Sequence, residues 1–196
     1  MSNYTTVAEV KASLGIPSGA TGDDDQITAA IAAAEALIDN YTGRTFVTGS
    51  ATRYYLPRTA SVLDVDDLST VASGLTIKTD EDQDGTYETT LAIGTDYVAQ
   101  GNAAPYRTLV NVNRGWPLSL YGRPTIEVTG VFGYASTVPA NIKQAALLMS
   151  CRLFQRKASP LGFQAGAISD FGPVRISRTD PDVAGLLVGV KLLGVG

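Results

Sequence analysis

The chain predicts an α+β fold, a small helical bundle whose sequence is interrupted by an antiparallel β module and followed by a C-terminal docking helix. Three observations predict it. Apolar residues recur at helical spacing at Ile27, Ile31, Ala34, Ile38 and Tyr41. Between Thr45 and Tyr134 the period changes to two, in short runs broken by Gly, Pro and Asp. Helical spacing then returns at Ile142, Ala145, Ala146, Met149 and Leu153, which read as the buried face of a later helix. The chain divides accordingly into an N-terminal helical part of the core (1–46), an inserted β-rich module (47–137), a core helix (138–157) and an extended loop with a C-terminal arm or helix (158–196).

The first helix opens at Thr6-Val7-Ala8-Glu9, a capping-box pattern, and carries Val7, Val10 and Leu14 as its stripe. Gly15-Ile16-Pro17 ends it, because Pro disfavours a helical residue before it. The second helix starts at Asp23, with Gln26 completing a second capping-box pattern and Asp24 and Asp25 at the positive end of the dipole. Gly43 can take the left-handed turn that stops it. Its Ala29, Ala30, Ala32, Ala33, Ala34 and Ala36 admit two readings. They are a strong helix former packed in its own domain, or a second small-sided face that meets another copy.

Short strands are expected at 52–56, 61–65, 75–78, 87–91, 97–99, 108–112 and 125–134, with 79–86 as a hairpin turn. Pro139 suits the first turn of the later long helix, and Arg152, Arg156 and Lys157 gather at its negative end. Residues 158–173 read as a loop and 174–177 as a short strand. Asp180 caps a last helix with Pro181 in its first turn, and Val183, Leu186, Leu187, Val190 and Leu193 share one face. Gly185 and Gly189 each cost it roughly 1 kcal/mol relative to Ala, so it needs something to lie against, either its own core or another protein.

Composition narrows the chemistry. With no His and one Cys, most zinc sites, Ser/His and Cys/His nucleophile systems and any internal disulfide drop out. Cys151 sits inside a helical pattern and reads as structural. A net charge of -4 does not describe an electrostatic nucleic-acid binder. The charge is uneven, with nine acidic residues between Ser61 and Gln100 against Lys78 alone, and an excess of Lys and Arg from Asn141 onward. Regions of opposite sign suit ordered stacking of subunits. No uncharged apolar run approaches the ~20 residues of a membrane span. The polar stretch after Met1 lacks the apolar core of a signal peptide, so synthesis in a host cytoplasm is expected.

Asp80, Asp82 and Asp84, followed by Gly85, open like a calcium loop. The closing bidentate Glu is missing, since Leu91 stands at the twelfth position, and acidic residues with a Gly also make a turn without metal. They form a weak metal candidate. No catalytic residue and no cofactor is expected. Tyr54, Tyr55, Tyr87, Tyr97 and Trp116 fit cross-strand packing or a binding surface. A monomeric β-rich module binding calcium or a glycan is the alternative, and a hydrolase using Asp/Glu pairs has no compelling local context.

The order of pieces resembles the head-tail connector (adaptor, or head completion) proteins of long-tailed phages. The resemblance lies in 7–16, in Asp23-Asp24-Asp25-Gln26-Ile27, in Ala34 through Phe46, in Val128 through Tyr134, and in Val138-Pro139 with the helix that follows. It implies a non-enzymatic virion protein at the neck that forms a ring, usually dodecameric, under the portal protein. Such a ring extends the channel through which DNA passes without sequence-specific binding, and it offers a docking surface for a neck or tail completion or tail terminator protein. Subunit interfaces are then expected at Ala29, Ala30, Ala33, Ala36, Ile142, Ala146 and Met149. The C-terminal residues Val183, Leu186, Leu187, Val190 and Leu193 are expected to dock on the portal.

Overall fold

The computed structural model describes residues 4–71, 74–156 and 181–192. The expected loop at 158–173, the strand at 174–177, the Asp180 cap and Leu193 lie outside them. The chain forms two compact units, Met1–Arg44 with Val138–Gly196, and Thr45–Thr137.

The first unit is helical. It contains α1 (Val7–Leu14), α2 (Asp24–Thr42), α3 (Ala140–Gln155) and α4 (Pro181–Leu187), the last continuing into a 3-10 turn (Val188–Val190). The capping box of α1 forms as its sequence predicts: the Glu9 N–H donates to Thr6 Oγ1 at 3.2 Å, and the Thr6 N–H donates to Glu9 Oε2 at 2.8 Å. The Thr6 N–H foremost, and then the Thr5 hydroxyl, which donates to Glu9 Oε2 at 2.9 Å, hold the Glu9 carboxyl below its usual range. The box expected at Asp23 does not form, because Asp23 makes no side-chain cap bond. At that end Asp24 instead pairs with the buried Lys11 of α1. Gly43 closes α2 in the left-handed region, at φ 68°.

The inward face of α2 is Ile27, Ala30, Ile31, Ala34, Glu35, Ile38 and Thr42. Tyr41 lies in the last turn and is exposed beneath the Lys191 ammonium, 4.6 Å from its ring centroid. Val10, Ile27 and Ile31 form a core onto which Leu147, Cys151 and Phe154 of α3 pack. Tyr4 fastens the chain start to α2: its N–H donates to Glu35 Oε1 and its hydroxyl to Asp39 Oδ1, each at 2.6 Å.

The second unit is one antiparallel sheet of seven strands: β1 (Gly49–Tyr55), β2 (Val62–Leu68), β3 (Thr76–Thr79), β4 (Thr89–Leu91), β5 (Tyr97–Gln100), β6 (Tyr106–Asn111) and β7 (Ile126–Phe132). Strand β7 alternates buried and half-buried along its whole length, as the sequence predicts. Thr129 pairs with both Thr52 and Thr76, so β1 and β3 take opposite edges of β7. Phe132 pairs with both Gly49 and Leu68, so the end of β2 shares the β3 edge. Leu68 pairs also with Tyr106 of β6, so β2 runs between β7 and β6, and the β6 pairing shifts register between Asp64 and Leu68. The sheet therefore curls on itself. Its inner face encloses Leu63, Val65, Leu68, Ile77, Tyr97, Leu109, Trp116, Ile126, Val128 and Phe132. Across the curl, Arg53 and Tyr55 of β1 both reach the Asp66 carboxylate of β2.

Just beyond β7, Gly133 adopts φ 132°, and a Cβ there stands 2.6 Å from Val47 O. Gly185 in α4 has nothing within 4 Å of its Cβ position. Gly133→Ala is therefore expected to cost about 2–4 kcal/mol in urea unfolding, while Gly185→Ala gains about 0.5–1 kcal/mol. A Gly133→Ala protein of unchanged stability refutes the tight approach. Burial raises the Asp39 pKa, against the Tyr4 hydrogen bond, which lowers it. A carboxyl raised on folding contributes stability below its unfolded value and loses it as pH rises through the folded value. Asp39→Asn can still accept from Tyr4, so the variant is expected to lose less stability than wild type between acid and neutral pH. Equal losses in thermal melts count against it.

Candidate functional site

Three groups of residues were singled out by sequence, and the structure treats them differently. On α2, Ala29, Ala33 and Ala36 are exposed, together with Ala32, Leu37 and Asn40 on the side opposite the Ile residues. Ala30 instead points inward. On α3, Ile142 and Ala146 are fully buried in their own helical unit, and Met149 is partly buried. The expectation that Ile142 and Ala146 present a subunit face is therefore corrected. They lie on the apolar stripe that closes the bundle, and a stripe so covered is not open to a neighbour.

The C-terminal helix also differs from expectation. Val183, Leu187 and Val190 are buried, α4 packs on α3, and Leu186 is half-buried. Asn141 Nδ2 donates to Leu186 O at 2.9 Å, and the Leu192 N–H donates to Thr42 O at 2.9 Å. The apolar face needed a surface to lie against, and here that surface is the chain's own bundle. The outward residue of the segment is Val188, 70% exposed.

The acidic hairpin between β3 and β4 is ordered by its own carboxylates. Buried Asp80 accepts from the Gln83 N–H at 2.7 Å and from the Gly85 N–H at 2.9 Å. Asp84 accepts from the Thr86 N–H at 2.7 Å. Carboxylate oxygens of Asp80, Asp82 and Glu88 come within 4.8 Å of one another, while Asp84 is not part of that group. Both Asp80 oxygens are engaged by backbone N–H groups, which is how such a sequence makes a turn. Glu88 was not singled out by sequence, because the loop template places its closing ligand at Leu91.

Gln83 was missed as well. It adopts φ 63°, unusual for a residue with a side chain. From there its Nε2 donates to Leu118 O at 3.2 Å and its Oε1 accepts from the Leu120 N–H at 2.9 Å. This amide clamps a second loop, 117–124. That loop is also held by Thr125 Oγ1 donating to Pro117 O at 2.6 Å, the Arg123 N–H donating to Ser119 Oγ at 2.8 Å, and the Tyr87 hydroxyl donating to Pro124 O at 3.1 Å. Leu118, Leu120 and Tyr121 stand out from it at 50%, 79% and 78% exposure. Of the aromatic residues noted in the sequence, Tyr97 and Trp116 are core, and exposed Tyr54 stacks at 5.4 Å on Tyr87. A pocket lined by Thr79, Leu91, Asp96 and Asn111 has room for about one water. Among the described residues no helix is long and apolar enough to cross a membrane.

These features define an α+β subunit, a bundle and a curled sheet with apolar side chains held outward on ordered elements. Comparison with known proteins gives a family match over part of the chain and a fold match over nearly all of it. The family described as phage gp6-like head-tail connector protein matches residues 4–67. The fold is similar to that of a chain in the neck of an empty GTA particle computed with C6 symmetry, at TM-score 0.60 and 17% identity over 97% of this chain and 92% of that one. It is similar also to a chain in the neck of a native GTA particle computed with C12 symmetry, at 0.55 and 19% over 96% and 90%. A chain from the virion of a native gene transfer agent particle matches at 0.58 and 18% over 98% and 94%. No curated protein matches the chain. The match over 4–67 is to the connector family that the order of sequence pieces resembles, and the neck and virion chains share the fold.

Removing residues 181–196 takes three buried apolar side chains out of the bundle, each worth about 1.5–3 kcal/mol. The truncated protein is expected to unfold at clearly lower urea concentration than wild type. An unchanged midpoint shows that α4 does not hold the bundle together.

Proposed function

We propose that this chain is a non-enzymatic structural virion protein, a head-tail connector that forms a ring under the portal protein, extends the DNA channel and joins the filled head to the neck or tail. The observation that carries the reading is the connector-family match over 4–67, the segment that builds α1, α2 and the first two strands. The neck chains of similar fold come from particles computed with C6 and C12 symmetry, which a ring of copies fits. Head-to-tail contacts in a ring join two different faces of each subunit. The exposed Ala29, Ala33, Ala36 and Leu37 row on α2 is one such face, and Met149 on α3 belongs to a second. Val188 and Leu186 are left as the outward residues of the C-terminal segment for a portal contact, because Val183, Leu187 and Val190 are used internally. A neck or tail completion or tail terminator protein docks on the opposite side.

The electrostatics suit a conduit. Residues 45–137 carry ten acidic and six basic side chains, and the remainder carries nine of each, so the net negative charge belongs to the sheet unit. A lumen that does not neutralise phosphates releases no counterions and does not hold the DNA that passes.

The test is to mix the purified protein with portal-bearing, DNA-filled heads and image the portal vertex. A ring of density at that vertex is expected, and heads that stay bare at saturating protein overturn the reading. Ala33→Glu with Ala36→Glu changes only exposed positions, so stability is expected to move by about 0.5 kcal/mol or less while ring occupancy falls. A variant that decorates heads as fully as wild type removes α2 from the interface.

A further inference from the structure

The 117–124 loop is unlike an ordinary surface loop. Two neighbouring large side chains, Leu120 and Tyr121, are about four-fifths exposed at 79% and 78%, on a backbone pinned at five places by the side chains of Gln83, Thr125, Ser119 and Tyr87. Apolar side chains held rigid in water are costly for a free protein and useful at an interface, where little ordering entropy remains to be lost. The adjoining hairpin, joined to the loop through Gln83, carries the exposed carboxylates of Glu81, Asp82, Asp84 and Glu88, and among the described residues none of the four is in an ion pair. Arg123 of the loop reaches that hairpin at Gly85, so the four carboxylates outnumber the loop's own cation. The loop is thus an apolar anchor beside a mainly acidic hairpin, the arrangement of an interface core and its polar surround.

We propose that this clamped loop docks head-to-tail on a second copy of the chain, against the C-terminal half of that copy's α3. That helix half carries the complement. Leu148, Met149 and Leu153 are only partly buried there, and the exposed Arg156 stands beside them on the same side of the helix. Apolar anchor meets apolar row, and carboxylates meet the Arg156 guanidinium at the negative end of the dipole. The two surfaces differ, so the contact is heterologous and repeats from copy to copy. Gln83 is its positioning residue: it touches no neighbour but fixes the loop that does. The inference rests on the ring-forming reading above and names one of its contacts.

The experiment places the photo-reactive residue benzoylphenylalanine at Tyr121 in the full chain, mixed equally from isotopically light and heavy protein so that crosslinks between copies are recognised by mass. Mixed-isotope crosslinks into residues 148–156 are expected, and their yield falls as salt rises. Crosslinks that are absent at high protein concentration, or that land elsewhere on the second copy, overturn the proposal. Gln83→Ala, which keeps every carboxylate and every apolar side chain, is expected to weaken self-association about tenfold in sedimentation. Leu120→Ser with Tyr121→Ser, at exposed positions, abolishes it with no loss of thermal stability. The same double variant added to filled heads separates the two readings. A normal ring at the portal overturns the loop contact and leaves the connector function standing. Wild-type protein that crosslinks as expected but never decorates heads does the reverse.

Discussion

Strand β7 is the constraint on which the sheet unit depends. Both its edges are occupied, β1 on one and β3 with the end of β2 on the other, and Thr129 and Phe132 each hold two partners at once. A strand paired on both edges cannot slip by one residue without turning Ile126, Val128 and Phe132 out of the core. Its glycines are part of the same constraint. Gly130 faces the Leu75 and Leu68 side chains so closely that a Cβ would fall 2.9 Å from Leu75 Cδ1. Gly133 lets the chain turn past Val47 and Thr48.

The periodicities legible in the sequence were those that packing enforces. Ile27, Ile31, Ala34 and Ile38 of α2, the alternation of β7, the α1 capping box and the left-handed Gly43 all follow from local spacing, and the structure has them, while Tyr41 of the same α2 stripe is exposed. Local spacing could not say what covers an apolar stripe. The Val183, Leu187 and Val190 face looked available for a partner and lies on its own bundle. Ile142 and Ala146, read as interface, are core for the same reason. The Asp23 side chain makes no cap bond, and the carboxylate that ties this end of α2 to another helix is Asp24, through Lys11, which no window around residue 23 reveals. Gln83 was invisible because its role depends on a loop 35 residues later in the chain.

Charge is arranged by unit rather than spread evenly. In the sheet unit Arg53, Arg58, Lys78 and Arg107 are each within ion-pair distance of Asp66, Asp64, Glu127 and Asp67 respectively, so the carboxylates of the hairpin tip stand beyond that set. Exposed pairs of this kind add little stability singly. Their effect is on which surface remains acidic, and that surface is the one beside the clamped loop. The hairpin turn and the loop are thus one device, since the amide of Gln83 belongs to the first and orders the second.

The helical unit is assembled from two stretches of chain separated by the whole of the sheet unit. On a ribosome, residues 45–137 emerge complete and can close their own core while α1 and α2 still lack α3 and α4. The Ile27, Ile31 and Ile38 row therefore waits, unshielded, for sequence made more than a hundred residues later. That row is shielded only when α3 packs over Ile27 and Ile31, so the sheet unit can be complete while the bundle still stands open.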